Sequence, residues 1–226
     1  MFRFLATLLY PPLCVVCEGS TPRLGELICS RCWKRARHDP VSEVLFGRDP
    51  RSHRDMTPAV HVGWSWNDTW EILLHKFKYQ GYARLGTTFG SELAELLEAR
   101  GYRPDAGMKL VPMPVTGTRR RERGYNQAEL LARALSRRWD VELDTKLLAR
   151  SGASRSQTKL KPAERWKNVK GAFFAREERE ARRPILLVDD VVTTGATLHA
   201  ASEALREAGH EKVRCLALVC STRFCS

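Results

Sequence analysis

Residues 185–198, ILLVDDVVTTGATL, constrain this chain more than any other stretch. Residues 185–188 are an unbroken apolar run of branched side chains, the pattern of a central strand in a parallel sheet covered on both faces. Such a sheet carries helices on either side, and its ligands gather beyond the C-terminal ends of its strands. There Asp189 and Asp190 arrive together, followed by Val191, Val192, Thr193, Thr194, Gly195, Ala196 and Thr197, with a helix expected over residues 198–208. Gly195 lets the backbone approach a ligand, free N–H groups of the first helical turn point at an anion, and threonine hydroxyls add donors. The carboxylates do not suit a phosphate. They suit ribose hydroxyls or a hydrated Mg²⁺, so the combined preference is for a sugar phosphate with a metal. The plainer reading is a polar strand-to-helix turn, against which the adjacent acids and the loop after a buried strand both argue.

The succession of apolar strand, D-D and T-G-A-T resembles the phosphoribosyl pyrophosphate (PRPP) loop of type I phosphoribosyltransferases. That resemblance implies that Asp189 and Asp190 contact the ribose 2′- and 3′-hydroxyls. It also implies that the loop, residues 193–197, holds the 5′-phosphate.

A chain of 226 residues can build one good α/β core and a small appendage. No apolar run approaches the roughly 20 residues needed to span a bilayer. Residues 4–9 have the hydrophobicity of a signal-peptide core but lead into Tyr10, Pro11 and Pro12 with no small-residue cleavage site, so they read as a short packing helix and the protein as cytoplasmic. A net charge of +12 points to polyanionic partners, although surface arginine also accumulates for compositional reasons.

Near the start, Cys14-x-x-Cys17 and Cys29-x-x-Cys32 are separated by eleven residues that include Gly19, Ser20, Pro22 and Gly25. Two tight knuckles of this kind can place four thiolates on one tetrahedral Zn²⁺. Four ligands leave no open position, so the zinc would be structural. Disulfides would want a secretory context, and a redox C-x-x-C would want a thioredoxin-like strand, neither of which this sequence offers. His38 reads as a surface residue. The chain thus divides into residues 1–40 with the zinc ribbon, an irregular linker at 41–58 carrying Pro50 and Pro58, and an α/β domain at 59–226.

Within that domain, residues 60–66 alternate like an edge strand, and Asp68 is the expected N-cap of a helix with Trp70, Leu73, Leu74 and Phe77 on one face. Lys76 and Lys78 near its end fit the helix dipole, and His75 is assigned no role. Residues 85–97 form a second amphipathic helix. Residues 110–115 read as a strand broken by Pro112 and Pro114, and residues 116–127 as a loop dense in Arg and Gly, before a helix at 127–139. Arg119, Arg120, Arg123 and Gly124 make that loop a candidate pyrophosphate seat, since guanidinium forks bind phosphate oxygens bidentately and Gly permits close approach. A basic surface loop or a nucleic-acid contact would look the same. The last strand is expected at 213–219, with Cys215 and Cys220 as small core residues.

The sequence V-P-x-P followed by R-x-R-G-Y-N-Q, together with the paired C-x-x-C ribbon, is similar to the ComF/GntX family, competence-associated proteins with a phosphoribosyltransferase domain. Gln157, Leu160, Arg165, Asn168, Val169, Lys170, Gly171 and Phe173 resemble a further family segment, which lies where related transferases have a mobile catalytic loop. Arg155, Lys159 and Lys161 would be placed to close over pyrophosphate, or would merely be solvated. The resemblance implies a type I phosphoribosyltransferase-like fold: a mostly parallel twisted sheet flanked by helices, with a small N-terminal zinc ribbon. It implies PRPP or a ribose-5-phosphate ligand bound with Mg²⁺, and transfer of phosphoribose to an unknown acceptor. The competing expectation is a non-catalytic accessory of DNA uptake that binds single-stranded DNA or a competence helicase.

Overall fold

The computed structural model describes residues 13–21, 25–44, 59–151, 171–176 and 183–221. The helix expected at 4–9, most of the linker at 41–58, Cys225, and residues 152–170 with Gln157, Arg165, Asn168 and the three further cations lie outside the described residues.

Six strands form the main sheet, in the order β1 (Glu43–Val44), β2 (Val60–Ser65), β8 (Val213–Cys220), β7 (Ile185–Val192), β3 (Lys109–Pro112) and β4 (Glu142–Leu143). Only β1 runs antiparallel; every other pairing is parallel. A short antiparallel hairpin, β5 (Leu148–Arg150) with β6 (Phe173–Ala175), stands apart. Among the described residues the helices are α1 (Ser30–Ala36), α2 (Asp68–Tyr79), α3 (Leu85–Ala99), α4 (Gly117–Arg123), α5 (Gln127–Trp139) and α6 (Ala196–Glu207).

Alternation along the central strands sends side chains into two cores, as the period-2 geometry of a strand requires. Leu186 and Val188 of β7 pack with α2, α3 and α5, through residues such as Leu73, Phe89 and Leu131. Ile185 and Leu187 pack on the other face with Leu198, Ala201 and Leu205 of α6 and with the β5–β6 hairpin. Both faces being covered explains why residues 185–188 are apolar without interruption. Helices α3 and α5 approach so closely at Gly90 that an added Cβ would lie 2.5 Å from the Cβ of Ala134. That contact is open only to glycine.

Four expectations are corrected. Residues 116–123 are not a loop: Thr116 caps α4, its Oγ1 accepting the Arg119 N–H at 3.3 Å, and Gly124 ends it at φ 77°. The helix has no buried residue, so no apolar stripe announced it. Helix α2 is capped by Asn67 rather than Asp68, with Asn67 Oδ1 accepting the Trp70 N–H at 3.1 Å. Strand β2 is not at the edge, because β1 covers its outer side. Finally, the strand expected at about 185–189 does not end at Asp189 but continues through Asp190 to Val192.

Candidate functional site

The extension of β7 creates the site. Its partner β3 stops at Pro112, opposite Val188; Met113 donates one more hydrogen bond to the Val188 carbonyl at 2.8 Å, and Pro114 has no N–H to continue the ladder. Residues 189–192 therefore pair with β8 alone, and one edge of the strand stays open. Beside that edge is a cavity of about 250 Å³, whose lining includes Asp189, Asp190, Val191, Thr193 and Thr197 from β7 and the loop after it. Arg119 and Arg123 of α4, Lys78 of α2 and Arg150 of β5 face them. Val115, Asn126 and Gln127 complete the rim.

The two acids are half-buried and chemically unequal. Asp189 Oδ1 accepts the Asp190 N–H at 2.8 Å. Burial and the neighbouring Asp190 charge push its carboxyl up to about 8. Asp190 pairs with Lys78 Nζ at 2.7 Å. Burial works against its ionisation, but the Lys78 charge and hydrogen bond prevail, holding it below the usual carboxylate range. The site thus sets one acid raised above the ordinary carboxylate range beside one held below it, among several cations.

After the acids, Gly195 caps α6 in the left-handed region at φ 72°, a conformation that side-chain-bearing residues rarely adopt. Gly195 offers no side-chain cap and Thr194 Oγ1 accepts only the Ala196 N–H, at 3.5 Å, so the rest of the first turn presents N–H groups and the positive end of the dipole to the loop. Of the residues singled out from sequence, Asp189, Asp190, Val191, Thr193, Thr197, Arg119 and Arg123 come together around the cavity. Val192, Thr194 and Ala196 are buried beneath it. Gly195 and Gly124 shape the backbone at α6 and α4, and Arg120 turns to Glu129 at 3.5 Å.

The R-G-Y-N-Q motif also has a physical reading. Asn126 donates to the Met113 carbonyl at 2.9 Å while its Oδ1 caps α5 through the Ala128 N–H, binding the end of β3 to the next helix. Tyr125 Oη and Gln127 Nε2 both donate to the Phe77 carbonyl, at 2.6 and 3.3 Å. Arg123 reaches Gln127 Oε1 at 3.1 Å and lies over the Tyr79 ring at 5.1 Å. Sequence reasoning missed Lys78, which it ascribed to the helix dipole, and Arg150. Neither carries a local signal; only the folded arrangement brings them to the acids.

The second candidate site is the cysteine cluster. The Sγ atoms of Cys14, Cys17, Cys29 and Cys32 lie within 4.8 Å of one another. Four sulfurs at about 2.3 Å from a tetrahedral Zn²⁺ stand about 3.8 Å apart, and Cys17 Sγ to Cys29 Sγ measures 3.7 Å. The Val16 and Cys29 N–H groups donate to Cys14 Sγ at 3.4 and 3.3 Å, as thiolate ligands require. Hydrogen bonds from the Gly19 N–H and neighbouring thiols draw Cys17 down to about 6, while burial pushes Cys32 up. The donor set fits a closed, structural zinc site. His38 is exposed and pairs with Asp39 instead. Cys215 and Cys220 are fully buried, as the sequence led us to expect. Among the described residues, no helix is long and apolar enough to cross a membrane.

Comparison with known proteins bears on the whole arrangement. Residues 83–223 match the model of the phosphoribosyl transferase domain. Competence protein F of Haemophilus influenzae is 30% identical over 218 residues, covering 89% of this chain and 93% of that protein. Competence protein ComFC of Bacillus subtilis is 35% identical over 202 residues, covering 87% and 79%. The DNA utilization protein YhgH of Escherichia coli K12 is 29% identical over 208 residues, covering 89% and 87%. A parallel sheet with its acid pair at an open strand end, the matched domain and these extended likenesses place the chain in the ComF family of phosphoribosyltransferase-domain proteins.

Proposed function

We propose that this protein binds PRPP with Mg²⁺ in the cavity beside residues 189–192 and transfers its phosphoribosyl group to an acceptor. The observation that carries the reading is the convergence of two chemistries in one cavity. Carboxylates at the open end of β7 suit a ribose diol, and the N-terminus of α6 suits its 5′-phosphate. Arg119 and Arg123 supply guanidinium groups for a pyrophosphate. Bound Mg²⁺ would neutralise the departing pyrophosphate. The chain's own part is to position the ribose and stabilise charge as positive character grows at the anomeric carbon. No side-chain nucleophile is required.

The arginines that could serve single-stranded DNA are divided in a way that supports the ribose phosphate reading. Arg119 and Arg123 line the cavity, and Arg120 pairs with Glu129. The names of the relatives, competence and DNA utilization proteins, lead us to infer a role connected with the handling of imported DNA. Titration calorimetry with PRPP, with and without Mg²⁺, tests the ligand. Micromolar binding, about −8 kcal/mol, that requires the metal and disappears in the Asp189→Asn/Asp190→Asn variant is the expected result. Equal binding by the variant would move the site elsewhere.

A further inference from the structure

The matched domain begins at residue 83, yet a side chain from before that boundary reaches the acid pair. Lys78 sits in the last turn of α2, and its Nζ lies 2.7 Å from Asp190 Oδ2, with both side chains largely enclosed at 20% and 13% exposure. Two adjacent carboxylates in a partly dry cavity cannot both stay ionised without a cation. Lys78 is in ion-pair contact with one of them, Asp190. Its own position is heavily determined: Tyr125 and Gln127 both hold the carbonyl of Phe77, one residue earlier in the helix. A surface lysine serving only the helix dipole would not need that support.

We infer that Lys78 is the positioning residue of the acid pair, keeping Asp190 ionised and its carboxylate fixed along the open edge of β7 to receive the hydroxyls of a ribose. The inference rests on the ribose phosphate reading of the cavity and adds a residue to it. Helix α2 becomes part of the binding site. Because Lys78 acts through Asp190, its effect on binding should exist only while Asp190 is a carboxylate.

The test is a double-mutant cycle on the full chain, with PRPP and Mg²⁺ as the titrant. Lys78→Met is expected to weaken binding by roughly tenfold or more, the scale of one charge-assisted contact. Lys78→Arg should recover most of that loss. Adding Lys78→Met to Asp190→Asn should then cost little more than Asp190→Asn alone. A purely structural lysine would give a lower melting temperature with unchanged affinity, and that result overturns the inference. Fully additive losses overturn it too, since they would mean that Lys78 acts independently of Asp190. If the wild type ignores PRPP, ribose 5-phosphate, which carries the same diol, replaces it in the same cycle. Lys78-dependent binding of ribose 5-phosphate would then sustain this inference while the PRPP reading falls, and silence toward both would overturn both.

Discussion

The cysteine cluster and the acid-pair cavity face the same electrostatic problem and solve it over different distances. Each gathers like-charged groups that repel one another and need a counter-charge. The cluster draws its four sulfurs from residues 14–32, on two tight knuckles, and calls for an ion from outside. The cavity draws its groups from residues 78 to 197, on α2, α4, β5 and β7, and supplies its own counter-charge in Lys78. A site closed by local turns depends on its ligand to exist. A site assembled by the sheet depends on the fold and exists before the ligand arrives.

The contrast is sharpest under metal removal, where the largest effect is expected. The helix that opens at Cys29 carries Trp33, which packs against Trp70 at 5.8 Å and stacks on Phe89 at 6.0 Å. A chelator, or Cys29→Ser, should release about one zinc per chain and unravel α1. In small metal domains the binding energy is folding energy. The Trp fluorescence should shift to the red as Trp33 leaves its aromatic neighbours, while far-UV circular dichroism keeps most of the α/β signal. If the metal-free protein keeps its native tryptophan emission, the cluster does not depend on an ion, and the contrast drawn above is broken.

That difference in distance also decides what can be read from the linear chain. The cysteine spacing is legible because a knuckle is a local object. The strand at residues 185–188 is legible because burial on both faces removes every polar residue from it. Asp189 and Asp190 are legible as a pair, but not their inequality. That arises because Lys78 meets one acid while the other is left to burial, and Lys78 lies more than a hundred residues away in sequence. The open edge of β7 was half legible, since Pro112 and Pro114 were seen to break a strand, though not to uncover the acids on its neighbour. Helix α4 was hidden because nothing on it is buried, which removes the periodicity that marks other helices.

The two regions are mechanically joined at Asn67, and cutting that joint gives the next largest effect. Its Oδ1 caps α2, and its Nδ2 donates to the Arg35 and Ala36 carbonyls at the end of α1, at 3.3 and 3.2 Å. Asn67→Ala removes a cap and leaves those carbonyls to water, so a loss of about 2 kcal/mol is expected in urea unfolding. The same variant asks whether the regions communicate. Lys78 is at the far end of α2, where Tyr125 and Gln127 anchor the carbonyl of the preceding Phe77. PRPP affinity should therefore change less than about threefold. A larger loss would mean that the cysteine region tunes the cavity, and the separation argued above would give way to coupling.

The smallest expected effect isolates the inequality of the two acids. The Asp189 carboxyl is raised to about 8 in the folded protein, against an ordinary value of 3.8. Between those values the folded state keeps a proton that the unfolded state has lost. By linkage, the Asp189 contribution is fully present below about pH 4 and declines as the pH rises toward 8. Asp190, drawn down by Lys78, contributes with the opposite sign and only at acid pH, so the two do not cancel in the neutral range. Asp189→Asn mimics the protonated acid and removes the decline. The variant should therefore gain on the wild type steadily as the pH rises from 5 to 8.5, read as a melting temperature difference that grows with pH. It should do so while binding PRPP more weakly, because a ligand site keeps an acid that the fold alone would rather lose. A melting temperature difference that stays flat from pH 5 to 8.5 would mean that Asp189 is already ionised in the empty cavity, and that Lys78 neutralises the pair jointly rather than one member of it.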